Sequence, residues 1–168
     1  MNRRNVVKVL FGGAVVLQLP AAEPGAPLFF TREEFALLDT LTELLIPADD
    51  HSPGAREAGV ATFIDRSVAE AFVAEEKESW RKGLAAIDSA SGDMMQAPFL
   101  KISAKQQNAV LRFLAAKEHK PETEAEKFFT QLKQTTAFVY YSSSIGIHND
   151  MQYKGNVLLP QFVGYDAT

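Results

Sequence analysis

Thr31-Arg32-Glu33-Glu34-Phe35-Ala36-Leu37-Leu38-Asp39-Thr40-Leu41-Thr42-Glu43-Leu44-Leu45-Ile46-Pro47 is the stretch that decides the fold class. Thr31 is followed three residues later by Glu34, the spacing of a capping box, in which each side chain satisfies an orphan amide at a helix start. Phe35, Leu38, Leu41 or Thr42, and Leu45 then recur at helical spacing. Pro47 stops the helix, because proline has no amide hydrogen to continue the ladder. The same pattern is written twice more. Ser103 with Gln106 opens a helix whose apolar positions are Val110, Leu111, Phe113 and Leu114. Thr123 with Glu126 opens a long final helix through Phe128, Leu132, Thr135, Phe138 and Val139, reaching about Ser142.

Two more helices are expected between these. One starts near Ala58 or Gly59 and carries Val60, Phe63, Ile64, Ser67 or Val68, and Phe72 as its buried stripe. The other carries Trp80, Leu84 and Ile87, with Glu75, Glu76, Lys77 and Glu78 on its wet side, and is broken by Gly92 and Pro98. Ala48-Asp49-Asp50-His51-Ser52-Pro53-Gly54 has the composition of a loop. Few segments alternate with period two, so no strand is predicted. The expected fold is all-α, a compact bundle of about five helices with an irregular C-terminal tail.

Ahead of the bundle lies a different kind of sequence. Arg3 and Arg4 precede Lys8 and the short apolar run Val9-Leu10-Phe11-Gly12-Gly13-Ala14-Val15-Val16-Leu17. A basic start, a short apolar segment and small residues make a signal peptide, and the arginine pair points to the twin-arginine route. The run is too short for a full membrane span of roughly 20 residues. An ordinary secretory leader or an uncleaved anchor is the alternative. The expected organisation is a signal peptide over residues 1–22, a proline-rich linker over 23–30, and a helical domain over 31–168. A periplasmic location follows from this reading, with membrane association through a complex or a retained leader left open.

Composition narrows the function. The 168 residues hold 17 Lys and Arg against 21 Asp and Glu, a net charge of −4. Cleavage after Ala22 would remove Arg3, Arg4 and Lys8, leaving 14 cations against 21 anions, or −7. Nucleic acids and anionic lipids are poor partners for such a body, since both need clustered cations. There is no cysteine, which excludes thiolate catalysis, cysteine-ligated iron–sulfur clusters and covalent c-type haem on this chain.

Two clusters could carry chemistry. Asp49-Asp50-His51 offers carboxylate and imidazole ligands, although consecutive residues do not readily converge on one ion. His148-Asn149-Asp150 sets a histidine beside a carboxylate, but Ser142-Ser143-Ser144-Ile145-Gly146 supplies no recognisable nucleophile elbow. The blander readings are an acidic loop for the first and a helix end for the second. The tail around Tyr153, Gly155, Asn156, Phe162, Gly164 and Tyr165 is apolar and aromatic for a terminus. Such a tail wraps its own body or docks on a partner.

The leader, the Leu44-Leu45-Ile46-Pro47 helix end and the tail together resemble the gluconate 2-dehydrogenase subunit 3 family, over essentially the whole mature chain. In that family an Ile-Pro pair, an acidic loop and a segment ending Phe-Ile-Asp follow one another. Here these are Ile46-Pro47, Asp49-Asp50 and Gly59-Val60-Ala61-Thr62-Phe63-Ile64-Asp65. Gly146, Tyr153, Gly155, Asn156, Phe162, Gly164 and Tyr165 match the family tail. Met151 stands where proline is usual, and Phe162 lies close to where tryptophan is common. The resemblance implies a non-catalytic small subunit with no cofactor of its own, which escorts, exports and stabilises a flavin-dependent sugar or sugar-acid dehydrogenase. FAD would sit on the large subunit and haem on a c-type cytochrome subunit, with the twin-arginine translocase as a further partner. It implies Arg3, Arg4 and Lys8 as the export signal. Tyr153, Gly155, Asn156, Phe162, Gly164 and Tyr165 are the expected partner interface. The alternative is a free-standing exported helical binding protein or hydrolase built on Asp49, Asp50 and His51 or on His148 and Asp150.

Overall fold

The computed structural model describes residues 26–153. Five α-helices follow in order: α1 Arg32–Leu45, α2 Val60–Glu70, α3 Ala74–Met95, α4 Ala104–Ala115 and α5 Glu124–Ser142. A 3-10 turn, Phe99–Lys101, joins α3 to α4, and a π-helical turn, Gly146–Asp150, follows α5. The described residues contain no strand. The all-α bundle expected from the capping and spacing is therefore the fold.

All three capping boxes form. Thr31, Ser103 and Thr123 each accept the amide of the residue three further on, and Glu34, Gln106 and Glu126 reach back to the cap backbone. Each box satisfies two amides that would otherwise lack partners and is worth about 1 kcal/mol. Glu126 goes further: Oε2 takes the amides of Glu122 at 2.7 Å and Thr123 at 3.1 Å. Those backbone bonds hold its carboxyl below the ordinary glutamate range. Helix α2 has no side-chain cap and starts instead from Gly59, whose φ of 70° is the left-handed conformation that glycine adopts without strain.

α5 lies at the centre and touches each of the other four helices. Leu38, Leu41, Val60, Ile64, Leu84, Ile87, Val110, Leu114 and Leu132 fill the interior around it. An aromatic chain ties the start of the fold to its centre. Phe29 meets Phe30 at 4.9 Å, Phe30 meets Trp80 at 6.4 Å, and Trp80 meets Phe128 at 5.4 Å, all edge to face. That geometry sets ring edges against ring faces, as the aromatic quadrupole favours. Gly83, one turn beyond Trp80, makes the approach of α3 and α5 possible. A Cβ there would overlap the Phe128 ring.

Four expectations need correcting. Gly92 does not break α3. It lies inside the helix, which runs on to Met95 and ends at Gln96, whose φ of 59° turns the chain out of the helix. Phe72 does not belong to the stripe of α2: the helix stops at Glu70 and Phe72 is fully exposed in the connection to α3. Phe63, Phe113 and Phe138 sit in their predicted helices but face outward. In α5 the buried threonine is Thr136 rather than Thr135.

Candidate functional site

The clearest polar construction in the body is a grip on residues 28–30. Asp65, on α2, is buried, and its two oxygens take three consecutive amides. Oδ2 accepts Leu28 N–H at 2.6 Å, and Oδ1 accepts Phe29 and Phe30 N–H at 3.0 Å each. Arg81, on α3, holds the same segment from the other side. Its guanidinium donates to the Phe29 carbonyl at 2.9 Å and lies 4.3 Å over the Phe29 ring. Buried carboxylates persist when such partners satisfy them. Asp65 closes the Gly-Val to Phe-Ile-Asp segment quoted above, and its task is structural.

A second buried construction joins the acidic loop to α5. Tyr140 Oη donates to the Pro53 carbonyl at 2.7 Å and lies 2.6 Å from Ser52 Oγ. Tyr140→Phe removes the hydroxyl and leaves the Pro53 carbonyl without this donor. It is expected to lower stability by about 1–2 kcal/mol, read as a shift of the urea midpoint with unchanged slope.

This loop is the first candidate cluster, and it is built as a turn. Asp49 Oδ1 accepts the amides of His51 and Ser52, both at 2.8 Å. These bonds hold its carboxyl below the ordinary aspartate range. A carboxylate with a depressed pKa, here Asp49 or Glu126, contributes stability above its unfolded pKa and loses it as pH falls through the folded value. Asp50 and His51 face solvent.

The second cluster serves the end of α5. Ser143 Oγ donates to the Tyr140 carbonyl at 2.6 Å and accepts Gly146 N–H at 3.1 Å. His148 is exposed, with Nδ1 3.4 Å from the Tyr153 carbonyl. Asp150 lies beside Tyr141, and its charge pushes that phenol above its ordinary range. Among the described residues no three His, Asp or Glu side chains gather as metal ligands. Neither cluster lines any of the surface grooves described next.

Four grooves can be described on the surface of residues 26–153. One of about 280 Å³ between α3 and α5 is lined by Glu75, Glu78, Lys82, Glu124 and Lys127. Another, of about 440 Å³, carries Glu33, Glu34, Arg81, Asp88 and Lys101. A third, of about 420 Å³, carries Asp93, Glu124 and Glu126 beside Met94 and Phe113. The fourth, of about 240 Å³, is lined from α2, α3 and α5. Phe63 and Phe138 form its walls, with Ser67, Gln131 and Thr135, and Glu76 is its one charged lining residue.

Of the expected interface residues, Tyr153 is half exposed, with its amide on the Ile147 carbonyl at 3.0 Å. Gly155, Asn156, Phe162, Gly164 and Tyr165 lie outside the described residues, as do Arg3, Arg4 and Lys8. No helix among the described residues is long and apolar enough to cross a membrane.

The site residues thus define a small helical body whose buried polar groups hold loops and termini in place. Its outward features are grooves and exposed aromatics. The gluconate 2-dehydrogenase subunit 3 family matches residues 32–157, three quarters of the chain, and the protein belongs to that family. No curated protein and no solved structure matches it.

Proposed function

We propose that this chain is the non-catalytic small subunit of a flavin-dependent sugar or sugar-acid dehydrogenase, which it escorts, exports and stabilises. The family match over residues 32–157 carries the reading. The family's name denotes one subunit of a larger dehydrogenase. The paired arginines of the leader support the export part. In this reading the large subunit carries FAD and the catalytic base, and a c-type cytochrome subunit takes the electrons. The twin-arginine translocase then moves the folded assembly to the periplasm. The buried carboxylates and hydroxyls described above supply this chain's own rigidity, which a protein exported folded needs.

The test is capture of the tagged full chain from its native periplasm and membrane fraction. A large protein with flavin absorbance is expected to co-elute. With Arg3→Lys and Arg4→Lys together, both proteins are expected to remain in the cytoplasmic fraction. A lone, colourless protein from the wild-type capture would overturn the reading.

A further inference from the structure

Residues 28–30 form a strap that closes on the body a few residues after the leader. Its three amides are spent on the buried Asp65 carboxylate and its Phe29 carbonyl on Arg81, while the buried Phe30 ring meets Trp80. The groups that hold it come from α2 and α3, 35 or more positions along the chain. The strap therefore closes only once those helices have packed. A peptidase that removes a leader holds its substrate extended, with main-chain bonds on both sides of the cut, and selects small side chains at the first and third positions before it. Between Leu19 and Phe30 four small residues are candidates to precede the cut: Ala21, Ala22, Gly25 and Ala26. Two positions before them stand Leu19, Pro20, Glu23 and Pro24. Leu19 is bulky and Glu23 is charged, which leaves the bonds after Ala22 and after Ala26. Two features bar the second. Pro27 follows Ala26, and its ring nitrogen has no hydrogen to donate. Leu28 comes next, with its amide already 2.6 Å from Asp65 Oδ2.

We infer that the strap held by Asp65 and Arg81 fixes the register of leader removal: on the folded chain the Ala22–Glu23 bond is hydrolysed and the Ala26–Pro27 bond is protected. Water adds across the amide, leaving a carboxylate on Ala22 and a free amino group on Glu23. The inference rests on the leader reading above and assigns the processing to the folded chain. A cut after Ala26 requires Leu28 and Phe29 to be drawn away from Asp65 and Arg81. A cut after Ala22 leaves five residues, 23–27, between the bond and the first gripped amide, so the strap stays closed.

The test is the intact mass of the full chain, tagged at its C-terminus and recovered from the periplasm, which reads the new N-terminus. Helical content and melting temperature are measured alongside. The wild-type chain is expected to begin at Glu23. Pro27→Ala removes the proline barrier but keeps the strap, and this variant is expected to begin at Glu23 as well. Pro27→Ala combined with Asp65→Asn loosens the strap, and Pro27→Ala with Arg81→Ala does so from the other side should the first pair fold poorly. In these pairs the species beginning at residue 27 is expected to rise roughly tenfold or more, because a protected bond is cut in proportion to its open population. A Pro27→Ala single variant cut after Ala26 would show that the proline alone sets the register and would overturn the inference. Folded double variants cut only after Ala22 would overturn it too, as would a wild-type chain beginning at any residue other than Glu23. A recovered chain that still carries Arg3 and Arg4 would overturn leader removal and the inference together, and flavin absorbance co-eluting with that chain would leave the subunit reading standing.

Discussion

Asp65→Ala is expected to lower the stability of the chain by about 3–5 kcal/mol, a large share of the roughly 5–15 kcal/mol typical of a domain. The substitution strands three consecutive amides at once. Phe30 N–H is buried, so water cannot replace the lost oxygen there, whereas Leu28 is exposed and its amide can be rehydrated. The loss spreads because Phe30 touches Trp80, and Trp80 touches Phe128 on the central helix. Asp65→Asn separates charge from geometry. Its single carbonyl oxygen can keep the Phe29 and Phe30 bonds, but its amide group then faces the Leu28 amide, donor against donor. A cost of about 1–2 kcal/mol is expected for it. Denaturant unfolding followed by Trp80, the only tryptophan, measures both. An Asp65→Ala midpoint equal to wild type would show that the grip contributes nothing.

Gly83→Ala is expected to destabilise by about 2 kcal/mol, against the usual sign for a helix interior. Replacing glycine by alanine within a helix ordinarily gains about 1 kcal/mol. At Gly83 the added carbon would overlap the Phe128 ring, so α3 and α5 must separate or Phe128 must leave its rotamer. Gly92, on the same helix, is the internal control. A Cβ there meets nothing within 4 Å, and Gly92→Ala is expected to gain about 0.5–1 kcal/mol. Opposite signs on one helix would separate packing from propensity. Equal signs would mean that the α3–α5 contact yields cheaply.

What was legible in the sequence was what depends on near neighbours. The three capping boxes were read from residues three apart, and each forms. The start of α2 and the positions of Trp80, Leu84 and Ile87 followed from spacing alone. Gly92 misled because glycine's cost within a helix, about 1 kcal/mol, is small beside the burial of Ile87 and Leu84 on the same helix. Phe63, Phe113 and Phe138 misled for another reason. Helical spacing marks an apolar residue as a candidate for burial, but how wide a stripe is covered depends on where the other helices lie. The Asp65 grip and the Tyr140 hydroxyl contacts join residues 35 or more positions apart. No local pattern announces such a pair, although Asp65 closes the Phe-Ile-Asp segment that resembles the family's. Of the expected interface only Tyr153 falls within the described residues.

The Asp65 grip also sets a proteolytic edge. Among the described residues the bonds to Asp65 begin at the amide of Leu28, so cleavage after Pro27 leaves the Phe29 and Phe30 amides and the Arg81 contact in place. Trimming three residues more would remove all three amides, the Arg81 contact and the Phe30 ring together. Molecules cut after residue 30 lose the whole grip and are expected to become substrates for complete digestion. One aspartate thus marks residue 28 as the point from which N-terminal trimming begins to dismantle the body.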